Sequence, residues 1–424
     1  MATPWKKKLS WALYDFGNSA YATTVMAALF PQLYGKFWGE GIPGERTTLE
    51  LVWAGGLASF GIALLGPLLG GIADRTGRKK LFLGAFAAIA IACTVMLAFA
   101  PQAPRWYALG AFLLSLFCFT GANVFYDSLL VDVAEESELD TVSSLGFALG
   151  YCGGGLLFLG NLLIITNPGW VGLDSALEAS RWSILSVALW WTVFALPLFF
   201  VVKERAPEHR LSMGQAARGG FQAVMKTLGK IRQSPLILTF LLAYFFYIDG
   251  VNSVMRIAVK FGSDLGFGSG VLMGALLLVQ LVGFLSTLGF GYAAARIGAV
   301  RILQACVVGY AGLCFFTLWI STPAGIFVFA GGIGLFQGAL QSLSRSVFAG
   351  LVPAAEAGEF FGVYNLLGKF SSFMGPILIT GCTVALQQAG VDSAVIQRVV
   401  LLALLPLFLV GGLGLWRFER LRRG

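Results

Sequence analysis

Twelve apolar runs, each about as long as a membrane-crossing helix, constrain this chain more than any other feature. They fall at 10–34, 51–73, 80–100, 106–131, 143–165, 181–202, 236–259, 269–292, 301–320, 324–348, 360–386 and 394–416. A helix rising 1.5 Å per residue needs roughly 20 apolar residues to cross about 30 Å of hydrocarbon. Strands of a membrane barrel would alternate apolar and polar positions over about ten residues, and these runs do not alternate. The whole chain is 57% hydrophobic and 12% charged, against about 25% charge in soluble domains, which excludes a soluble enzyme and a disordered chain alike. The expected fold is all-α and integral to the membrane, with twelve transmembrane helices.

The net charge of +8 is distributed in a way that excludes nucleic-acid binding as its explanation. Placing the amino terminus inside puts 21 of the 29 Lys and Arg on the cytoplasmic side, the bias that orients polytopic proteins. Both termini are then cytoplasmic. Lys6, Lys7 and Lys8 precede a first run too long for a signal-peptide core, so this run is read as a retained span. The acidic stretch Asp132, Glu135, Glu136, Glu138 and Asp140 falls on the same side; acidic residues weigh little in the rule.

The longest connection separates two halves, 1–202 and 236–424, with a linker at 203–235. In the linker Phe221, Val224, Met225, Leu228 and Ile231 follow helical spacing beside Arg218, Lys226, Lys230 and Arg232, a basic amphipathic helix expected on the inner membrane surface. The six cysteines lie inside apolar runs without metal-ligand spacing, and the single histidine, His209, lies in the linker. No metal site, cofactor, Walker motif or nucleophile–base cluster is indicated, so the chain is not read as an enzyme.

The halves repeat one another. Span 1 carries Asp15, Asn18 and Ser19, and span 7 carries Asp249, Asn252 and Ser253, both in the pattern D-x-x-N-S. The loop after span 2, Gly70 to Lys80, aligns with the loop after span 8, Gly291 to Arg301: glycines, an arginine and the terminal base match, while Asp74 becomes Ala295. Two matches in register point to a 6+6 parallel duplication, an architecture of transporters.

The run Gly70-x-x-x-Asp74-Arg75-x-Gly77-Arg78-Lys79-Lys80 resembles the loop 2–3 signature of the major facilitator superfamily. The stretches from Trp11 to Tyr21, Phe125 to Leu130, Gly146 to Tyr151, Gln337 to Ser346 and Glu359 to Asn365 resemble the branch that holds the autophagy-related vacuolar amino-acid effluxers and their bacterial relatives, often filed as an "unknown major facilitator" family. The resemblance implies two pseudo-symmetric six-helix bundles, with spans 1, 4, 7 and 10 lining a central cavity. It also implies a cytoplasmic gate, for which Gly70, Asp74, Arg75, Gly77, Arg78 and Arg296 are candidates, completed by Asp127 or Asp132.

Five ionisable residues fall inside the runs away from their obvious ends: Asp15, Asp127, Asp249, Arg256 and Lys369. A charge at a span centre costs about 2.5–3.5 kcal/mol on insertion scales, so these side chains are expected to face one another or a cavity. Helical spacing groups them with polar neighbours. Asp249, Asn252, Ser253 and Arg256 share one face; Asp15, Asn18 and Ser19 another; Thr120, Asn123, Tyr126 and Asp127 a third; Gln337, Gln341 and Ser344 a fourth; Asn365, Lys369 and Ser372 a fifth. Substrate contact is assigned to Asn18, Asn123, Tyr126, Asn252, Arg256, Gln341, Asn365 and Lys369. Arg256 suits a substrate carboxylate, with an internal ion pair as the alternative. Asp15 and Asp249 are the candidate proton carriers. Asp127, nearer the cytoplasm, is expected to pair with Arg75 or Arg78.

The function expected is secondary transport of a small polar or zwitterionic solute by alternating access, with proton coupling, the family pointing to an amino acid. An exporter of an amphipathic compound and a non-transporting receptor of the same fold are the alternatives. The implied partners are a small-molecule substrate, protons and the lipid bilayer, with the protein acting as a monomer. The absence of any N-x-S/T sequon fits a bacterial inner membrane.

Overall fold

A computed structural model describes residues 3–99, 104–207, 209–371 and 373–423. Ser372 of the fifth polar face lies outside the described residues. All regular structure among those described is helical.

Eleven helices are long and apolar enough to cross a membrane. Spans 2 to 6 are Gly44–Thr76, Lys79–Phe99, Arg105–Val133, Glu136–Thr166 and Ala176–Val201. Spans 7 to 12 are Pro235–Asp264, Gly270–Ile297, Ala299–Trp319, Pro323–Ala349, Ala354–Gln388 and Val395–Arg423. The first run is helical from Pro4 to Trp38, but it is wound as α-helix to Ala20, as π-helix over Tyr21–Leu29, and again as π-helix over Tyr34–Trp38. Pro31 supplies a reason for the first widening. It has no N–H for the carbonyl four residues back and its ring crowds that carbonyl, and the turn ahead of it opens so that the Phe30 N–H reaches Val25 O. No single α segment of this run therefore has crossing length, although the run is continuous helix.

Span 11, expected over 360–386 with Gly375-Pro376 interrupting it, is broken into two helices. Helix Ala357–Phe370 ends and helix Met374–Gln388 begins. Pro376 fits the first turn of the second piece, where its missing N–H is not needed.

The chain forms two compact units. The first comprises Met1–Glu135, Leu149–Val224 and Val352–Leu366; the second comprises Glu136–Ala148, Met225–Leu351 and Leu367–Gly424. Each unit thus takes in the opening turns of one span from the opposite half of the sequence: span 11 in the first unit, span 5 in the second. In the first unit Trp11, Tyr14, Tyr126 and Trp191 form a fully buried aromatic core, with Trp11 stacked on Tyr126 at 4.5 Å between centroids and Tyr14 on Tyr126 at 4.8 Å. In the second unit Phe240, Tyr247, Tyr310 and Phe408 are the buried counterparts.

The linker's amphipathic helix forms as expected over Gly220–Gln233. Ala223, Thr227 and Ile231 are buried on one face, while Phe221, Met225 and Leu228 stand exposed on another.

Candidate functional site

In the first unit the polar faces of spans 1 and 4 meet. Tyr126 donates its hydroxyl to Asp15 Oδ2 at 2.9 Å, and Asn18 Nδ2 donates to Asn123 Oδ1 at 2.8 Å. Trp11 Nε1 donates to the Tyr126 carbonyl at 3.1 Å, which fixes the register of the two helices at the same level. These bonds satisfy groups that helical spacing put on apolar helices, where an unsatisfied polar atom would cost about 1–3 kcal/mol. Small residues bring span 5 against the same stretch of span 1: a Cβ on Gly150 would lie 2.6 Å from Ser19 Oγ, and one on Gly153 2.1 Å from Phe16 O. Asn365, on the part of span 11 that belongs to this unit, donates to Asp127 Oδ2 at 3.3 Å. Asp127, expected to pair with Arg75 or Arg78, thus meets an amide.

In the second unit Asp249 is fully buried. Its carboxylate accepts the N–H of Gly375 at 3.0 Å and the hydroxyl of Ser253 at 3.4 Å, and it also bonds the Met374 N–H. Met374 and Gly375 open the second helix of span 11, whose first N–H groups have no partner within that helix. Asp249 therefore caps a helix that starts part-way along span 11. The fit is close, because a Cβ on Gly375 would fall 1.9 Å from Ser253 Oγ. Arg256, two turns further along span 7, is exposed, and its charge acts on Asp249. Asn252, Gln341 and Lys369 are half-buried. Gln337, one turn before Gln341, is buried with an amide oxygen that has no hydrogen-bond partner. The paired aspartates of the sequence repeat thus enter different surroundings: Asp15 meets a tyrosine hydroxyl, Asp249 a helix terminus.

The loop 2–3 residues build a buried network in the first unit. Asp74 accepts the N–H groups of Gly358 at 3.0 Å and Glu359 at 2.9 Å, capping the first helix of span 11. Lys79 lies 3.4 Å from Asp74 and 3.1 Å from Asp132. Arg75 pairs with Glu359 at 3.9 Å; Arg78 is exposed. The glycines permit this approach. A Cβ on Gly70 would stand 2.1 Å from Gly358 O, and one on Gly362 would stand 2.5 Å from the Pro67 Cα. Gly66 with Gly70 and Gly358 with Gly362 form two small-xxx-small ridges facing each other. Asp132 also receives the Lys7 ammonium on its carbonyl. Burial pulls Lys7 below the usual lysine range, and the Asp132 charge works against that shift. Lys79 and Glu359 were absent from the expected gate set. Glu359 was visible as a lone acid beside a glycine at the start of an apolar run, a position that calls for a buried partner.

The second unit holds the duplicated counterpart. Gly291, equivalent to Gly70, packs where a Cβ would lie 2.4 Å from Ser144 Cβ on span 5. Ala295 replaces Asp74 and cannot cap, and span 10 supplies the polar contact: Arg345 donates to Ser143 Oγ and Ser143 O, both at 2.9 Å, and lies 4.3 Å over the Phe147 ring. Arg296, expected in the gate, is exposed and lies 4.2 Å over the Tyr292 ring.

This arrangement of broken helices, carboxylates on apolar helices and matching contacts after spans 2 and 8 coincides with a sequence-family match. Residues 52–417 fit the family described as "Vacuole effluxer Atg22 like". The chain belongs to this family. It is 37% identical over 399 residues, 94% of its own length and 92% of the relative's, to an uncharacterised MFS-type transporter, YxiO, of Bacillus subtilis. Autophagy-related protein 22 of Yarrowia lipolytica is 25% identical over 56% of this chain, an alignment that spans 44% of that longer relative. Among solved structures, the human organic anion transporter MFSD10 superposes with a TM-score of 0.75 at 16% identity, covering 98% of this chain and all of that one. The fold is that of the major facilitator superfamily, and the protein is a multi-pass membrane protein of a transporter family.

Proposed function

We propose that the protein is a secondary active transporter that moves a small polar or zwitterionic solute by alternating access of its two six-span halves, with proton coupling through Asp15 and Asp249. An amino acid is the substrate suggested by the family. The observation that carries this reading is the pairing of two embedded carboxylates, each held by neutral donors, with an exposed guanidinium, Arg256, on the same helix as one of them. An embedded carboxylate with neutral hydrogen-bond donors is suited to binding a proton, and Arg256 supplies a fork for a substrate carboxylate. Asn18, Asn123, Tyr126, Asn252, Gln341, Asn365 and Lys369 are the proposed neutral and cationic contacts around the solute. In this reading the chain catalyses no covalent step and acts as a monomer in a bacterial inner membrane, with both termini cytoplasmic.

Export of an amphipathic compound would call for aromatic side chains offered to the solute. Trp11, Tyr14 and Trp191 are instead buried in the first unit's core, which favours the polar solute.

Counterflow in proteoliposomes tests the proposal. A panel of radiolabelled amino acids is offered to vesicles preloaded with the same unlabelled compound. Saturable accumulation of at least one, lost in Arg256→Gln, is expected. No accumulation of any amino acid overturns the substrate class.

A further inference from the structure

The duplication exposes an asymmetry at two equivalent helix starts. Loop 2–3 ends in Gly77, in the left-handed region at φ 60°, and span 3 begins at Lys79. Loop 8–9 ends in Gly298 at φ 95°, and span 9 begins at Ala299. By the sequence alignment Gly77 matches Gly298 and Lys80 matches Arg301. A helix start presents unpaired N–H groups and a partial positive charge. In the first unit the protein supplies the anion itself: Glu204, just past span 6, bonds the backbone N–H groups of Lys79 and Lys80. In the second unit the residue at the start of span 9, Gly298, has no side chain with which to cap it.

What stands there is a pocket of about 330 Å³ lined by Gly298, Val300, Arg301, Glu419, Arg422 and Arg423. The last turn and a half of span 12 takes the place of Glu204 and reverses its charge. Glu419 lies 3.5 Å from Arg301 and is also in contact with Arg423, so one carboxylate is shared by two guanidinium groups. Arg422 adds a third, within Coulombic reach of Asp140. The walls carry three cations against one anion around a helix start, which is a surplus of donors and of charge. Tyr292 on span 8 and Trp416 on span 12 are exposed beside this end of the unit, each under an arginine, Arg296 at 4.2 Å and Arg420 at 3.6 Å. Exposed tyrosine and tryptophan mark the headgroup level of a bilayer.

We propose that this pocket is a binding site for a phosphate group, with the N–H groups at the start of span 9 and the guanidinium groups of Arg301, Arg422 and Arg423 as donors. Its depth beside the aromatic residues favours the phosphodiester of an anionic lipid of the inner leaflet over a soluble phosphate. Tetrahedral oxyanions match both donor types: helix starts bind phosphate through backbone N–H groups, and arginine forks bind it bidentately. A pocket above 300 Å³ is of ligand size. Glu419 competes for the same arginines and so sets the affinity.

The test uses the full chain purified in nonionic detergent. Melting temperature is followed during titration with short-chain phosphatidylglycerol, with phosphatidylcholine, and with inorganic phosphate. Phosphatidylglycerol is expected to raise the melting temperature saturably and phosphatidylcholine is not. Arg422→Ala/Arg423→Ala, at exposed positions, is expected to weaken the midpoint about tenfold, the loss of one to two charge-assisted contacts. Glu419→Gln is expected to tighten it by a similar factor, a gain that a merely damaged fold would not produce. Saturation by inorganic phosphate alone, with the same variant pattern, assigns the site to a soluble anion and keeps the phosphate assignment. Equal responses to the two lipids with none to phosphate, or midpoints unchanged in both variants, overturn it.

Discussion

The carboxylate of Asp249 accepts the backbone N–H of Gly375 at 3.0 Å. One residue of span 7 thereby holds the start of the second helix of span 11, and the glycine is what lets the two approach. A carboxylate that caps a helix stabilises it electrostatically as well as by hydrogen bonding. Protonation removes the charge and converts one of the two oxygens from acceptor to donor. Any proton taken up by Asp249 is therefore felt at the break in span 11.

Gly375→Ala puts a methyl group against Ser253 Oγ and separates Asp249 from its donors. A destabilisation of about 1–3 kcal/mol is expected from overpacking a tight contact, read as a lower melting temperature in detergent. Ser253→Ala removes the obstructing oxygen, so the double variant is expected to recover part of the loss. No recovery would show that the glycine serves another purpose.

Gly70→Ala makes the same test at the loop 2–3 network. Its Cβ would stand 2.1 Å from the Gly358 carbonyl, a backbone atom that cannot swing aside. Separation of spans 2 and 11 would cost Asp74 its two N–H partners. A loss of about 2–4 kcal/mol is expected, overpacking plus a broken buried cap. A variant within 0.5 kcal/mol of the parent, on about that scale for surface changes, contradicts the packing described.

Much of this was legible beforehand. The face carrying Asp15 and Asn18 and the face carrying Asn123 and Tyr126 were both visible as helical spacing, and the two faces meet. Pairing was not visible: Asp127 accepts from Asn365, a contact that depends on how spans 4 and 11 pack, which periodicity does not encode. The interruption of span 11 was marked by Gly375-Pro376, but the break falls before these residues, since proline belongs in the first turn of a helix. The π-wound stretch of span 1 left no mark in hydropathy, as wide turns keep the same apolar composition. Lys79 was hidden among three other basic residues of its loop, only burial distinguishing it.

Tyr126→Phe deletes the donor to Asp15 while keeping the stack with Trp11. A stability loss of about 1.5–3 kcal/mol is expected for one hydrogen bond to a charged group, and the pH dependence of flux is expected to move, since Asp15 loses a donor that favours its ionised form. A pH profile superimposable on that of the parent would separate Asp15 from coupling.

Glu204 provides a pH signature outside the membrane. Burial raises its carboxyl above the usual value of 4.5, while the N–H groups of Lys80 and Lys79 and the charges of those lysines work against the shift. A carboxyl raised on folding binds its proton more tightly in the folded state, so its ionisation subtracts stability as pH rises from 4.5 through the raised value. Glu204→Gln is expected to flatten the melting temperature against pH in that window. An unchanged slope assigns the pH dependence to other groups.

Arg345→Lys keeps the charge but loses the fork that reaches both Ser143 Oγ and Ser143 O, and the stack on Phe147. A loss of about 1–3 kcal/mol is expected, measured by thermal unfolding. Retention of full stability would mean that charge alone suffices at this contact.

The account rests most on Asp249 as a carrier of the coupling proton. Proteoliposomes holding the parent or Asp249→Asn are compared for uptake of a counterflow-active amino acid under an imposed pH gradient and for exchange without one. Gradient-driven uptake reduced to background with exchange retained is the predicted result. Gradient-driven uptake equal to that of the parent contradicts the account.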